Sequence, residues 1–200
     1  MISRELRLVY ELFWRPGLAL HATWWAELDM IGFEAVYRRS SYCRVAVDGL
    51  IRERAGLCSF ESPSNLNDFQ RWLIASREKI GSIVVVLGLL ALDCRENLFL
   101  GTYRRALAEF LTSQDVEHLL SVSSVPVLVA QNVTPETVSQ LSQQLGLRWL
   151  DRDLERDPIW ACLRLLQPAL SRTSDEYFGA PEALPIDNVM PSLGRVGRLL

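Results

Sequence analysis

The sequence predicts a mainly α protein, a compact multi-helix orthogonal bundle with one candidate edge strand near residues 125–130. The first observation behind this fold class is helical periodicity: residues 3–13 place their apolar side chains on one stripe, and Ser3 precedes it as a candidate N-cap. The second is a pair of helix starts at 134–136 (TPE) and 157–158 (DP), which combine a capping side chain with proline at the first helical position. Pro126 confines the candidate strand to an edge.

Residues 40–55 form the clearest helix of the first half of the chain, because apolar residues follow one of its faces. Arg44, Asp48 and Arg52 follow the opposite face at four-residue spacing, which predicts two ion pairs on an exposed surface. Gly56 stands where glycine commonly ends a helix.

The most apolar segment, residues 80–92 (IGSIVVVLGLLAL), has thirteen residues and is directly flanked by charges. A membrane-spanning helix needs about twenty apolar residues, so the segment is predicted to be a central core element. Every face of it is apolar, so periodicity does not decide between helix and strand. Val84, Val85 and Val86 favour a strand, whereas its length and its helical neighbours favour a helix.

Further helices are predicted over residues 65–76, over 96–111 with Phe99 on the inner face, and from Ser113 onward. The helix that starts at residues 134–136 is predicted to end at Gly146.

The predicted domain organisation is a single helical domain over residues 1–178 and a proline- and glycine-rich tail over 179–200. The composition of the tail predicts irregular structure. Its remaining apolar residues indicate that it docks, either on its own domain or on a partner.

Charge and composition exclude some function classes. The net charge of −3 gives no electrostatic basis for binding nucleic acid. The basic residues are twenty arginines and one lysine, Lys79. Arginine is enriched in interface cores, although arginine-rich codon usage explains the same bias.

Cysteine usage and the start of the chain predict a location. The four cysteines are widely spaced with no CxxC, which argues against a zinc or thioredoxin-like site. The start lacks the pattern of a signal peptide. We therefore expect reduced thiols and a cytoplasmic protein without a membrane span.

Searching for catalytic chemistry finds no nucleophile, phosphate-binding or metalloprotease motif. His21 and His118 are the only imidazoles, and each has an ordinary structural explanation. Acids over residues 151–157 alternate with arginines and lack the spacing of a calcium loop. The prediction is a protein that is not an enzyme and has no cofactor or metal. The alternative is a small enzyme with a dispersed site, for instance Cys58 or Cys94 with His118.

Five residues are candidate partner contacts, because tryptophan and arginine dominate interface hot spots. The competing interpretations are a buried core tryptophan and solvated arginine faces. The candidates are Trp25, Arg38, Arg39, Arg104 and Arg105.

Residues 10–28 (YELFWRPGLALHATWWAEL) resemble the opening signature of the type III secretion sorting-platform accessory proteins, the family of SctK, OrgA, MxiK and HrpD. In that family an aromatic-rich stretch leads to a proline, then to an apolar spacer and a histidine. The matching positions here are Phe13, Pro16, Leu20, His21, Trp24 and Leu28. Ala22 departs from the pattern, in which proline is common, and Leu20 stands where tyrosine is common.

The resemblance implies a mainly helical, non-enzymatic cytoplasmic adaptor, peripheral to the inner-membrane secretion apparatus. Its expected partners are the cytoplasmic domain of the inner-membrane ring protein and the pod protein of the sorting platform. The matching residues are then structural or interface residues, and none is catalytic. A secretion chaperone or regulator is the alternative within the same system.

Overall fold

A computed structural model describes residues 3–92, 94–121, 133–170 and 189–199. These residues contain helices and no strand, which confirms the mainly α fold class. The candidate edge strand at 125–130 lies outside the described residues. The chain divides into two compact units, and the first of them consists of residues 1–78 and 155–169.

Unit 1 is built from six α-helices, two of its connections being 3₁₀ turns at Pro16–Leu18 and Leu57–Ser59. The helices are α1 (Arg4–Trp14), α2 (Thr23–Glu27), α3 (Ile31–Arg39), α4 (Ser41–Arg54), α5 (Asp68–Ala75) and α10 (Pro158–Arg164).

Helix starts in unit 1 follow local sequence signals. The Ser3 hydroxyl accepts a hydrogen bond from the Leu6 backbone N–H at 3.2 Å, as its position as N-cap predicts. Asp157 accepts from the backbone N–H groups of Ile159 and Trp160 at 2.8 and 3.0 Å, ahead of Pro158. These caps satisfy donors that have no partner inside the helix.

The predicted exposed ion pairs of α4 are wrong. Asp48 is only 3% exposed, and its carboxylate accepts hydrogen bonds from Tyr37 and Gly17. Charged residues at four-residue spacing can lie on a solvent-exposed face or on a face that other elements cover. The spacing alone does not distinguish the two. Here α3 and the 16–18 turn both contact α4 and enclose the carboxylate.

Unit 2 consists of residues 79–154 and 170–200. Its helices within the described residues are α6 (Ile80–Ala91), α7 (Gly101–Ala106), α8 (Ser113–Ser121), α9 (Val138–Asp153) and α11 (Val189–Leu199). The segment 80–92 is therefore helical, and α6 is buried along nearly its whole length. Burial on all sides explains why its sequence has no helical period.

Helices α6 and α9 approach so closely that side chains are excluded at two crossing points. A Cβ on Gly88 would overlap the backbone carbonyl of Ser142, and a Cβ on Gly146 would overlap that of Val84. The prediction that Gly146 ends a helix is wrong, because α9 continues to Asp153 and the glycine instead permits close backbone packing.

The predicted helix over 96–111 is interrupted. Residues Arg95–Phe99 form a 3₁₀ helix, α7 begins at Gly101, and α7 ends at Ala106. The change of winding turns Phe99 outward, with 69% of its surface exposed, so its predicted inner position is wrong. Leu98 occupies the core in its place and is 0% exposed.

The prediction of irregular structure for the tail is corrected over residues 189–199, which form α11. Val189, Leu193 and Val196 are buried, and α11 contacts α6, α8 and α9 of its own unit. The predicted limits of a single domain and a tail at residues 178 and 179 stay a prediction.

Candidate functional site

The signature residues divide into a core group and a hydrogen-bonding group. Phe13 is 2% and Leu28 is 7% exposed, and Pro16 is buried at the start of its 3₁₀ turn. These three positions require apolar side chains because they fill the interior of unit 1.

The second group binds the backbone at the end of α10. His21 donates its backbone N–H to the Leu165 carbonyl, and Trp24 donates its Nε1–H to the Gln167 carbonyl, both at 2.9 Å. Thr23 Oγ1 accepts the Ala169 backbone N–H at 2.8 Å. The signature therefore holds the 165–169 segment against α2.

The His21 ring belongs to the same contact. Its Nδ1 lies 2.9 Å from Thr23 Oγ1. Burial is the main cause that lowers the pKa of the imidazole, and the nearby Arg164 guanidinium is the second. Arg164 itself lies over the Trp24 ring at 5.1 Å and donates to the Pro168 carbonyl at 2.6 Å. The His21 ring therefore contacts Thr23 at the start of α2, which is a structural role.

A buried polar site that the sequence did not predict lies between α3, α4 and the 16–18 turn. Asp48 Oδ1 accepts from the Tyr37 hydroxyl and from the Gly17 N–H, each at 3.0 Å. Burial raises the pKa of Asp48 against the opposing effect of these bonds, and burial together with Asp48 raises the pKa of Tyr37. Arg44 Nε donates to the Tyr37 carbonyl at 3.1 Å.

The alternative catalytic residues have different surroundings. Cys58 is exposed in unit 1, whereas Cys94 is buried in unit 2 and His118 is half-buried there. Burial, reinforced by Asp157, raises the pKa of Cys162 to about 12, so this thiol is protonated at neutral pH. Within the described ranges, no group of three or more His, Cys, Asp or Glu residues is arranged to hold a metal ion.

Unit 1 exposes large apolar side chains in an unusual concentration on α3 and α4. Ile31 is 70%, Tyr42 is 95% and Val45 is 81% exposed, although α3 and α4 contact each other. Exposed apolar side chains commonly mark interaction sites where they adjoin one another. We define the α3–α4 surface as Ile31, Phe33, Val36, Tyr42 and Val45, all of them exposed.

The outward face of α4 continues this apolar surface. Ala46 and Gly49 are exposed, and together with Tyr42 and Val45 they lie at spacings of three and four residues, which is one face of a helix. We call these four residues the α4 stripe. The opposite face of α4 already contributes Val47 and Ile51 to the core of unit 1.

Among the candidate partner contacts, Trp25 is only 4% exposed and its ring lies 5.8 Å from that of Tyr37. This tryptophan is therefore part of the core, and it is not presented at the surface of unit 1. Arg38 and Arg39 are exposed at the end of α3, where Arg38 pairs with Glu34 at 2.6 Å. Both arginines adjoin the start of the α4 stripe in sequence, and their role as partner contacts stays a prediction.

Arg104 and Arg105 lie on unit 2, beside the outward-turned Phe99. Arg104 Nε donates to the Leu98 carbonyl at 2.6 Å, and Arg105 is exposed. Leu100 is 56% exposed. Phe99 and Leu100 therefore form a second, smaller exposed apolar surface, with two arginines close in sequence.

None of the helices in the described part of the chain is both long and apolar enough to cross a membrane. This includes α6, whose length is 12 residues.

Comparison with known proteins identifies a family. The model of a protein family described as type III secretion system subunit matches residues 7–169, which includes the signature residues and the α3–α4 surface. Searches of the curated proteins and of the solved structures found no match.

Proposed function

The chain belongs to the family of type III secretion system subunits, and we propose that it acts there as a non-enzymatic adaptor of the sorting platform. It links the cytoplasmic domain of the inner-membrane ring protein to the platform pods. It resides in the cytoplasm, peripheral to the inner-membrane apparatus, and it belongs to the SctK branch of the accessory proteins.

One observation carries this proposal: each unit exposes large apolar side chains. Unit 1 presents the α3–α4 surface, and unit 2 presents Phe99 and Leu100. An adaptor needs separate contacts for separate partners, and an exposed apolar patch beside arginines has the composition of an interface core.

The structural role of the signature supports the SctK assignment. Phe13, Pro16 and Leu28 fill the core, whereas His21 and Trp24 bind backbone carbonyls of residues 165–167. These are requirements of a fold, and they explain how a sequence signature arises without a catalytic reaction.

The test is recovery of the tagged full chain from cells that assemble the apparatus, after mild crosslinking, with mass spectrometry of the bound proteins. We expect both the inner-membrane ring protein and the pod protein to be enriched. A strain that lacks the ring protein is the matched control, in which pod recovery should persist without the ring.

Two results would overturn the proposal. Recovery of neither protein, in cells shown to secrete, would remove the adaptor function. Recovery of exported cargo in place of both would make the chain a chaperone.

A further inference from the structure

We propose that the α4 stripe binds one amphipathic helix of another protein of the secretion apparatus, with acidic side chains of that helix meeting Arg38 and Arg39. This inference rests on the proposed function and deepens it, because it assigns a surface and a chemistry to one of the adaptor contacts.

The first step is the shape of the surface. Tyr42, Val45, Ala46 and Gly49 form an exposed face along two turns of α4. A Cβ placed on Gly49 would meet no heavy atom within 4 Å, so the backbone is open on this side. Small residues let helix axes approach to about 8 Å, and Tyr42 and Val45 provide the flanking ridge that a second helix packs against.

The second step is that unit 1 does not need this face for its own core. The inner side of α4 buries Val47, Asp48 and Ile51, each at most 3% exposed. In an ordinary surface helix the outer face is polar, whereas here its first charged position after Gly49 is Glu53. An apolar period on the side away from the core indicates a face against which another helix packs.

The third step is the charge at the two ends of the stripe. Arg38 and Arg39 are exposed where α3 leads into α4, and Glu53 is exposed at the other end. Two arginines border Glu53, and both keep their positive charge. Arg52 lies 4.0 Å above the Trp14 ring, and Arg54 donates to the carbonyls of Leu28 and Asp29 at 2.6 and 2.9 Å.

The stripe is therefore bordered by arginines at both ends: Arg39 and the Glu34-paired Arg38 at its α3 end, and Arg52 and Arg54 on either side of Glu53. A bound helix is complementary when it carries apolar residues at three- and four-residue spacing and carboxylates beside them where it meets Arg38 and Arg39. The arginines at the rim favour an acidic partner. The apolar centre provides most of the affinity.

The experiment places a photoreactive amino acid at Tyr42 or at Val45 of the full chain, in cells that assemble the apparatus, and maps the crosslinked peptides. Leu100 is the matched control, an exposed apolar position that belongs to unit 2. We expect positions 42 and 45 to crosslink to one helical segment of a ring or pod protein, and Leu100 not to reach that segment.

Charge exchange tests the contact between Arg39 and an acidic side chain of the bound helix. Arg39→Glu should weaken the complex with the crosslinked protein by about tenfold, a typical effect for an interface residue that contributes strongly. A reciprocal acid-to-arginine change in that segment should restore it. Val45→Glu should have a similar effect, and Ala26→Glu on the exposed side of α2 should have none. Equal thermal unfolding of all variants confirms that they fold.

Crosslinks from α4 to a second copy of this chain, or none at all while the chain is still recovered with ring and pod proteins, would overturn this inference and leave the adaptor function standing. If the adaptor function itself is wrong, the unmodified chain will recover neither the ring protein nor the pod protein.

Discussion

The Tyr37 hydroxyl donates a 3.0 Å hydrogen bond to Asp48 Oδ1, and both side chains are buried in unit 1. The same oxygen accepts the Gly17 N–H, so one carboxylate joins α3, α4 and the 16–18 turn. This contact lies beneath the helices that form the α3–α4 surface, and it provides a way to test whether their packing is specific.

Tyr37→Phe removes one donor from the buried carboxylate and leaves the ring packing in place. We expect unfolding in urea to show a loss of about 1–3 kcal/mol, the usual effect of leaving a buried acceptor without its partner. Tyr10→Phe, on the partly exposed face of α1, is the control and should be close to neutral. Equal stability of the two variants would mean that the bond contributes nothing.

The raised pKa of Asp48 makes its contribution to stability depend on pH. A carboxyl whose folded pKa lies above its unfolded pKa binds more protons in the folded state between the two values. The charged form is therefore the less favourable one in the folded chain, and this group destabilises progressively as pH rises through that window. We expect the free energy of unfolding of Asp48→Asn, measured relative to the wild type, to increase from acidic to neutral pH. A pH-independent difference would contradict the burial effect.

Gly88→Ala and Gly146→Ala should each destabilise unit 2 severely, because the added methyl would meet backbone and not a flexible side chain. Overpacking of this kind costs about 1–3 kcal/mol or more. Gly49→Ala is the matched control, since nothing lies within 4 Å of its Cβ, and it should stabilise α4 by about 1 kcal/mol. Thermal unfolding of the three variants measures the contrast. Similar melting temperatures for all three would show that α6 and α9 are further apart.

Thr23→Val should release the end of α10 from the signature, because valine cannot accept the Ala169 N–H. We expect faster hydrogen exchange at the Ala169 amide, by about tenfold if the bond contributes about 1.4 kcal/mol locally. The Leu6 amide, bound to Ser3 at the far cap of α1, should be unchanged. Unaltered exchange at Ala169 would contradict the contact.

Thiol reactivity separates the cysteines by environment. Cys162 has a pKa raised to about 12 by burial, so a maleimide should label it only after denaturation. Cys58 is exposed and should label in the native state. Rapid native labelling of Cys162 would contradict its burial and reopen the question of a reactive thiol.

Local signals predicted the starts of α1 and α10, whereas α9 begins at Val138, after the start predicted at residues 134–136. Ser3 and Asp157 cap their helices as expected, since capping depends on neighbours within three residues. The sequence did not decide whether α6 is a helix or a strand. The helix is buried on every side, so its sequence lacks the apolar periodicity that distinguishes the two structures. The contact of α6 with α9 joins Gly88 and Gly146, which are far apart in the sequence, so local patterns do not reveal it.

Tertiary contacts could not be predicted. Asp48 has the spacing of a surface ion pair, and only its bonds to residues 11 and 31 positions away reveal a buried acceptor. The α4 stripe was not predicted either. Apolar residues at helical spacing indicate a buried face, but they do not distinguish a face buried in the chain's own core from one that binds a partner. The arginine pairs at 38–39 and 104–105 were identified from composition, but the exposed apolar residues beside them were not.

The division of unit 1 between residues 1–78 and 155–169 has a consequence during synthesis. Helix α10 leaves the ribosome only after most of unit 2 has been translated, a delay of about 4–15 s at ordinary elongation rates. Until then α1 and α5 lack the helix that both of them contact. The N-terminal helices therefore emerge before α10 can complete their shared core. During that interval their apolar side chains are available to a ribosome-bound chaperone.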